Sequence, residues 1–198
     1  MANQLPTLCF ASHNAGKIAE MRALLANHFH IIGLNDIGCH EELPETNDTI
    51  AGNSAQKAMY VWQNYQIACF ADDSGLEVEA LDGAPGVHSA YYAGLPKDDK
   101  KNITLLLKNL HQHSNRNARF VCVISLIQEG TLWQFEGEVK GTIIDTPRGI
   151  NGFGYDPIFV PQGYMQTFAE MDKQTKNLIS HRGQAIQKMI ALITQKLF

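Results

Sequence analysis

The stretch "CFADDSGLEVEALDGAPG", Cys69–Gly86, decides how the fold is interpreted, because it sets two adjacent carboxylates at the end of an apolar run. Ile67–Ala71 is apolar and predicts a buried strand that ends at Asp72 and Asp73, and Leu76–Ala80 alternates like a second strand. Adjacent residues of an extended strand point to opposite faces, so the two aspartates do not both face solvent if the strand is central. The pattern indicates that these carboxylates have a function.

Working outward from this stretch, helices alternate with strands at both ends of the chain, and a hairpin lies between them. Predicted helices are a segment from Lys17 onward, Thr49–Tyr65, Asp98–Leu110 and a C-terminal segment from Ser180 or His181 to Phe198. Predicted strands, besides the two above, are Leu8–Ala11, Ile31–Leu34, Ile158–Val160 and a hairpin of Arg119–Gln128 and Thr131–Val139. This order predicts an α/β protein with a mixed sheet.

The composition is that of an ordinary globular protein. The chain has 198 residues, of which 44% are hydrophobic and 18% charged, which suits one domain or two lobes that share a sheet. The formal net charge of −4 opposes a chain-wide electrostatic interaction with nucleic acid, while a local basic site for a small anion is compatible with it. We therefore expect a small-molecule partner and no nucleic acid.

The cysteines and the apolar runs bear on the compartment. Cys9, Cys39, Cys69 and Cys122 are far apart and form no C-x-x-C pair, so a reducing cytoplasm is favoured over a disulfide framework or a zinc site. No apolar run approaches the ~20 residues of a membrane span. The N-terminal residues also lack a basic stretch followed by a hydrophobic signal core. We expect a soluble cytoplasmic protein.

The segment "SHNAGK", Ser12–Lys17, follows the first strand and opens a helix. Backbone N–H groups at a helix N-terminus attract phosphate. The side chains of Ser12 and Asn14 add hydrogen-bonding groups, Gly16 allows close approach, and Lys17 adds a full positive charge. The segment is not a Walker A loop, because Ile18 follows the lysine and the first glycine is missing. Taken alone, the segment slightly favours the alternative of an ordinary strand-to-helix turn with a capping asparagine.

Two further polar segments stand out. Glu45 precedes a helix on which Asn53 and Lys57 are four residues apart and share one face, although a solvated helix face has the same pattern. The two aspartates of "ADDSG" offer the oxygen ligands that Mg²⁺ takes, or one of them accepts a proton from water. A turn capped by an aspartate side chain is the alternative.

The C-terminal third contains groups suited to a nucleobase. In "NGFGYDP", Asn151–Pro157, Phe153 and Tyr155 offer aromatic faces for stacking, or form a hydrophobic plug before a turn. In "SHRG", His181 and Arg182 are donors suited to purine acceptors, or belong to a helix cap and a surface arginine.

Together these blocks resemble one family, the inosine/xanthosine triphosphate pyrophosphatases that act on noncanonical purine nucleotides. The resemblance runs through "LCFASHNAGKIAEMRALL", "PETNDTIAGNSAQKA", "ADDSGLEVEALDGAPGVHSAYYAG", "NGFGYDPIF" and "KNLISHRGQA", in matching order and spacing over almost the whole chain. It implies an elongated mixed sheet flanked by helices, with two lobes around a central nucleotide cleft in a single 198-residue domain. It also implies a homodimer and Mg²⁺-dependent hydrolysis of ITP, dITP and XTP to the monophosphate and pyrophosphate.

The resemblance also assigns roles to residues. It implies that the triphosphate contacts Ser12, His13, Asn14, Ala15, Gly16 and Lys17, with Lys57 as a further cation. It implies that Glu45 and Asp73 hold Mg²⁺, that Asp72 supports them, and that Asp73 accepts a proton from the attacking water. The remaining nucleotide contacts that it implies are Ser74, Phe153, Gly154, Tyr155, Asp156, Lys176, His181 and Arg182. The base would stack on Phe153, with His181 and Arg182 near its 6-oxo edge.

The chain departs from the family pattern at two positions. Gly52 stands where members commonly carry glutamate, and Tyr91 stands where many bacterial members carry arginine. These departures keep open a nucleotide-binding regulator with weak turnover, which would bind ITP without releasing pyrophosphate. A second alternative is a Maf-like nucleotide pyrophosphatase, which would prefer a pyrimidine or a methylated nucleotide.

Overall fold

A computed structural model describes residues 5–196, with side-chain surroundings through Ile193. The strands are β1 (Thr7–Phe10), β2 (His30–Ile32), β3 (Cys69–Val78), β4 (Asn117–Gln128), β5 (Thr131–Ile143) and β6 (Phe159–Pro161). The α-helices are α1 (Ala15–Leu25), α2 (Ile50–Tyr65), α3 (Asp99–Leu110), α4 (Lys173–Ile179) and α5 (His181–Lys196). Short 3₁₀ turns cover Leu34–Ile37, Glu79–Leu81, Gly86–Tyr91 and Asp156–Ile158.

Within the described residues, six strands form one sheet in the order β2-β1-β3-β4-β5-β6. Strand β1 pairs in parallel with β2 and with β3, whereas β5 pairs antiparallel with β6. The sheet is therefore mixed, and the predicted α/β class is confirmed. Parallel neighbours require a crossover connection, which α1 supplies between β1 and β2.

Strand β3 corrects one sequence-based prediction. The predicted strand that ends at Asp72 and its separate successor Leu76–Ala80 are one ten-residue strand, which runs without interruption through Asp72 and Asp73. The prediction was wrong because polar residues normally end an apolar strand pattern. Here partners on neighbouring helices neutralise the aspartates, as described below, so the strand continues.

The hairpin between β4 and β5 follows from its turn. Glu129 and Gly130 form a two-residue connection and both have positive φ, 51° and 75°. Positive φ at both central positions is typical of the type I′ turn, whose twist matches that of the flanking strands. The hairpin was predicted, but β5 extends four residues beyond Val139, to Ile143.

Helix starts follow the expected capping chemistry. The side chain of Thr49 accepts from Gly52 N at the start of α2, and that of Asp98 accepts from Lys101 N at the start of α3. Helix α4 was not predicted, and it begins after Asp172, whose side chain accepts from the backbone N–H of Thr175. The last two residues of the predicted C-terminal helix, Leu197 and Phe198, lie outside the described residues.

The described residues separate into two compact units. The first contains those up to Asp73, Val123–Phe135 and those from Lys188 onward, and the second contains Ser74–Cys122 and Glu136–Gln187. The apolar core of the first unit consists of Cys9, Ala11, Leu34, Cys39, Ala58, Val61, Cys69, Ala71 and Ile127. The core of the second includes Leu76, Leu106, Leu110, Phe120, Ile158, Phe159 and Phe168. The nucleotide cleft that the resemblance implies stays a prediction.

Over residues 5–196, none of the helices combines the length and the apolar composition required to traverse a bilayer.

Candidate active site

In the first unit, the two adjacent aspartates of β3 have different lysine partners. Asp72 is buried and its carboxylate contacts Lys17 of α1, whereas Asp73 lies beside Lys57 of α2. Alternation along the strand sends successive side chains to opposite faces, so each carboxylate meets a different helix. Two like charges are therefore held side by side because each is neutralised from its own direction.

Lys17 and Asp72 form a two-pronged contact. Lys17 Nζ lies 3.0 Å from Asp72 Oδ1 and 3.1 Å from Asp72 Oδ2. The Asp72 side chain is only 2% exposed, whereas that of Lys17 is 29% exposed. A buried carboxylate without a partner is costly, so this contact is one reason that Asp72 is tolerated in the strand.

Lys57 is the centre of the second group. Its Nζ lies 2.5 Å from Glu45 Oε1 and 3.5 Å from Asp73 Oδ1, and the side chain is 9% exposed. Burial lowers the pKa of the Lys57 ammonium, but the negative charges of the three surrounding carboxylates outweigh burial, and the pKa lies above its ordinary value. Lys57 therefore stays a cation at neutral pH and draws Glu45 and Asp73 together.

The surroundings of Asp73 shift the pKa of its carboxyl group. Burial raises its pKa above the ordinary value for aspartate despite the opposing charge of Lys57, and the charges of Glu45 and Asp72 raise it further. A carboxylate with a raised pKa is a stronger base than an ordinary aspartate. The environment of Asp73 thus suits a group that accepts a proton.

The segment Ser12–Lys17 forms a compact turn into α1. Asn14 is the N-cap, and its Oδ1 accepts from Lys17 N at 3.0 Å. Ser12 Oγ accepts from Asn14 N at 3.2 Å. Ala15 and Gly16 form the first turn of the helix, and a Cβ at Gly16 would lie 3.2 Å from Asn14 Oδ1. The alternative of a capped strand-to-helix turn is therefore present, and it leaves backbone N–H groups at the helix start.

His13 is held by the loop that precedes α2. Its Nε2 lies 3.0 Å from the carbonyl oxygen of Glu41, and because a carbonyl only accepts, Nε2 carries the hydrogen. The Glu41 carboxylate accepts from the hydroxyls of Tyr60 and Tyr65. Hydrogen bonds from the Glu41 backbone N–H and from the Tyr60 hydroxyl lower the pKa of the Glu41 carboxyl group to about 2. Glu41 is thus ionised and anchored to α2.

The oxygen donors of the first unit suit a hard divalent cation. Glu45 and Asp73 contact the same ammonium group, so their carboxylates converge on one point where positive charge is favourable. Mg²⁺ is often held by one or two carboxylates together with phosphates and water. Among the described residues, no group of three or more His, Cys, Asp or Glu side chains forms a complete metal site. The two carboxylates fit a cation that takes its other ligands from a substrate.

In the second unit, the predicted base-binding loop is organised around Asp156. Asp156 is 3% exposed, and its Oδ2 accepts from Phe153 N at 2.8 Å and contacts Lys176 Nζ at 2.5 Å. Gly152 has a φ of +78°, and a Cβ at this position would overlap the Asp156 carboxylate. Glycine is therefore required at residue 152 for the loop to close over Asp156.

The ring of Phe153 is 53% exposed but has two cations beside it. Lys176 Nζ lies 5.1 Å from the ring centroid, and the Arg182 guanidinium carbon lies 5.8 Å from it. Both distances lie within the range of cation–π attraction. An exposed aromatic face with nearby donors is suited to stack and hydrogen-bond a purine.

His181 and Arg182 lie at the start of α5 and are both buried, at 8% and 5% exposure. The His181 ring stacks on Phe120 of β4 with centroids 4.9 Å apart and an interplanar angle of 10°. Phe120 also contacts Phe159 and Phe168 of the same core. The imidazole is therefore fixed in orientation by packing, and a surface location for these two residues is ruled out.

The remaining predicted contacts of the second unit are Ser74, Gly154 and Tyr155. Ser74 is half-buried in β3. Tyr155 is 3% exposed, its hydroxyl donates to Ser89 O at 3.0 Å, and burial raises its pKa. Tyr155 is thus a core residue whose hydroxyl is already bonded, which favours the hydrophobic plug over a stacking surface at this position.

Sequence reasoning missed Asp99, in the first turn of α3. Asp99 Oδ2 accepts from Gly154 N at 2.7 Å and so holds the predicted base-binding loop from a helix 55 residues earlier in the chain. Aspartate in a first helical turn is common for reasons of helix polarity, so no local signal distinguished this residue.

The second unit also contains a cavity of about 870 Å³. Its lining includes Glu77, Arg119, Lys140 and Tyr164, and none of the described residues that line it is a predicted nucleotide contact. The Arg119 guanidinium lies 2.7 Å from both Glu77 and Glu138, so its charge is neutralised internally. The candidate functional residues are therefore those of the two groups described above, each within its own unit.

Both departures from the family pattern can be located. A Cβ at Gly52 would lie 2.8 Å from Asn47 Cβ and 2.8 Å from Thr49 Oγ1, so the first turn of α2 is closely covered. Tyr91 ends the 3₁₀ turn Gly86–Tyr91 in the second unit and is 49% exposed.

Comparison with known proteins adds an independent line of information. A family model described as the Ham1 family matches residues 8–192. A dITP/XTP pyrophosphatase of Flavobacterium johnsoniae is 51% identical over 187 residues, which cover 94% of this chain and 97% of that protein. One of Porphyromonas gingivalis is 49% identical and covers 92% and 94%. The structure of the Staphylococcus aureus Ham1 protein superposes with a TM-score of 0.90 at 39% identity, covering 96% of this chain and 99% of that one.

Proposed function

The chain belongs to the Ham1 family, and from that premise we propose that it hydrolyses noncanonical purine nucleoside triphosphates to monophosphate and pyrophosphate. ITP, dITP and XTP are the substrates, and removing them cleanses the nucleotide pool. The observation that carries the proposal is the group around Lys57, where two carboxylates converge on one buried ammonium. Convergent oxygen donors beside cations are what transfer at a phosphorus centre requires.

The chemistry assigns different tasks to the residues of the first unit. Water attacks the α-phosphorus, a new P–O bond forms, and the bond to the bridging oxygen breaks so that pyrophosphate leaves. Asp73 accepts the proton of that water, consistent with its raised pKa. Lys17 and Lys57 offset the negative charge of the triphosphate, and N–H groups at the start of α1 bind its oxygens. Asp72 keeps Lys17 in place.

We propose Glu45 and Asp73 as the residues that hold Mg²⁺. Both supply carboxylate oxygens, which suit a hard cation. When bound, the ion neutralises charge on phosphate oxygens and makes a coordinated water more acidic. The chain's own contribution is to aim two carboxylates at one point.

We propose that the base stacks on Phe153, with donors from His181 and Arg182 directed at its 6-oxo group. A 6-amino group presents donors where this site also presents donors, so adenine would leave buried polar groups unpaired. Lys176 is held by Asp156 and supplies a further positive charge beside the ring.

Two properties of the whole protein belong to the proposal. We place it in the cytoplasm, in keeping with four buried cysteines, none of which forms a disulfide within the described residues. We propose a homodimer on the family resemblance, and sedimentation velocity at micromolar concentration tests it.

The proposal is tested by Mg²⁺-dependent pyrophosphate release from ITP, dITP, XTP, GTP and ATP. We expect fast release from the first three, slow release from the others, and at least ~100-fold loss in Asp73→Asn. The matched control is Asp82→Asn, the same change at an exposed position whose φ of 52° asparagine also tolerates. ITP binding without pyrophosphate release would indicate a regulator, and preference for a pyrimidine or methylated nucleotide would indicate the Maf-like alternative.

A further inference from the structure

Glu45 lies on a segment that has no regular structure of its own. Residues 42–47 are neither helix nor strand, and the Glu45 side chain is 44% exposed. A metal ligand on such a segment needs contacts with other parts of the protein, because a carboxylate that is not held in one position binds a cation weakly. The structure shows where that support comes from.

The side-chain amide of Gln56, on α2, hydrogen-bonds with the two residues that follow Glu45. Gln56 Oε1 accepts from Thr46 N at 2.9 Å and from Asn47 Nδ2 at 2.8 Å. Gln56 Nε2 donates to Thr46 Oγ1 at 2.8 Å. A backbone N–H can only donate, so the orientation of the Gln56 amide is determined by its contact with Thr46.

Asn53 completes the arrangement one turn earlier on α2. Its Oδ1 accepts from Asn47 N at 2.9 Å, and the residue is 3% exposed. Asn53, Gln56 and Lys57 are spaced i, i+3 and i+4, so they share one helix face. We call the contacts of Asn53 and Gln56 with Thr46 and Asn47 the α2 latch.

We propose that Gln56 is a positioning residue for the metal site: through the α2 latch it holds Glu45 where this carboxylate meets Lys57 and, together with Asp73, receives the cation. The inference rests on the proposed function of Glu45 as a metal ligand. The same helix that carries Lys57 thereby fixes both ends of the Glu45–Lys57 contact.

The glycine at residue 52 is part of the same arrangement. A Cβ there would come within 2.8 Å of Asn47 Cβ. A side chain at residue 52 would therefore crowd Asn47, which lies over the first turn of α2 and contacts Gln56. The departure from the family pattern at Gly52 and the presence of the latch are thus coupled.

The test compares Gln56→Leu with Gln63→Leu, the same change two turns later on α2, where Gln63 is exposed. Mn²⁺ is titrated into the full-length chain, and free Mn²⁺ is followed by electron paramagnetic resonance. The Mg²⁺ concentration for half-maximal pyrophosphate release from ITP is measured in parallel. Loss of a residue that hydrogen-bonds a metal ligand typically weakens metal binding about 10–100-fold. Gln56 acts one residue further away, through Thr46 and Asn47, so we expect the low end of that range, a rise of both values of about 10-fold in Gln56→Leu only. At saturating Mg²⁺, kcat should stay within about 2-fold.

A second variant pair keeps the inference testable if Gln56→Leu unfolds. Thr46→Val removes the hydroxyl that Gln56 contacts and keeps the side-chain size, whereas Thr46→Ser keeps the hydroxyl and removes the methyl group. We expect weaker Mn²⁺ binding in Thr46→Val and recovery in Thr46→Ser. Equal metal affinity in wild type, Gln56→Leu and Thr46→Val overturns the inference. A wild type that binds Mn²⁺ but hydrolyses no ITP would refute the proposed function alone, because the Mn²⁺ titration still decides the role of the latch.

Discussion

Lys17 Nζ lies 3.0 and 3.1 Å from the two carboxylate oxygens of Asp72, so a partly buried lysine neutralises an almost fully buried aspartate. Removing one partner of such a contact leaves an uncompensated charge inside the protein, which costs more than the contact itself contributes. Lys17 therefore has a structural task in addition to the triphosphate contact proposed for it.

We predict that Lys17→Met lowers the free energy of unfolding by about 2–3 kcal/mol, measured by urea denaturation at pH 7. The matched control is Lys101→Met, which removes an exposed contact with Asp98 at 3.9 Å and should cost at most about 0.5 kcal/mol. Equal effects of the two variants would contradict a buried role for the Lys17–Asp72 contact.

Asp73→Asn should abolish activity and yet stabilise the protein in EDTA. The pKa of Asp73 is raised in the folded state, so its ionised form opposes folding at every pH above that pKa. The stability gained by the amide should be largest at neutral pH and should disappear as the pH falls below the pKa of an unfolded aspartate. Thermal unfolding of both proteins from pH 3 to pH 8 measures it. A lower melting temperature of the variant at pH 7 would contradict this prediction.

Gly52→Ala should destabilise the chain although alanine is the better helix former by about 1 kcal/mol. The new Cβ would meet Asn47 and Thr49 at 2.8 Å, and one of them must move. We expect a net loss of about 1 kcal/mol in chemical denaturation. In a double-mutant cycle with Asn47→Gly, the two effects should be less than additive, since both disturb the same contact. Additive effects would show that residue 52 acts independently of Asn47.

Asp99→Ala should weaken nucleotide binding with a smaller effect on turnover. The carboxylate holds Gly154 N in the loop that carries Phe153, and it does not belong to the group around Lys57. We expect KM for ITP to rise about 5–10-fold and kcat to fall less than about 3-fold, because binding common to substrate and transition state is lost. Lys100→Ala, at the adjacent exposed position, is the control. A fall in kcat with unchanged KM would contradict the assignment.

The helices and strands with strong hydrophobic periodicity were predicted from the sequence, and so was the family. Both predictions are confirmed. Helix α2 begins at Ile50, after a capping Thr49, and ends at Tyr65, as its apolar spacing and capping residue indicated. Contacts between residues that are distant in the chain could not be predicted from local sequence patterns. Local pattern gives no reason for a strand to continue through Asp72, because the reason is Lys17, 55 residues earlier.

The candidate site shows the same division. Motifs and the family resemblance predicted Lys57, Glu45 and Asp73 as site residues, and these assignments stay predictions. The contacts that hold Glu45 were not predicted, because polar side chains in a turn-rich segment are usually solvated. Gln56 becomes recognisable only when α2 and residues 42–47 are seen side by side. Asp99 was hidden for a comparable reason, since its partner Gly154 is remote in sequence.

The unbroken course of β3 makes the site sensitive to changes in length. Since side chains alternate with a period of two, inserting or deleting one residue just before Asp72 would turn each carboxylate towards the other's helix. Asp73 would then face α1 and its neighbour would face α2, and every later side chain of the strand would move to the opposite face of the sheet. A substitution at either aspartate alters one charge, whereas an insertion or deletion here changes both lysine contacts at once. We expect such length variants to be absent from functional descendants of this chain.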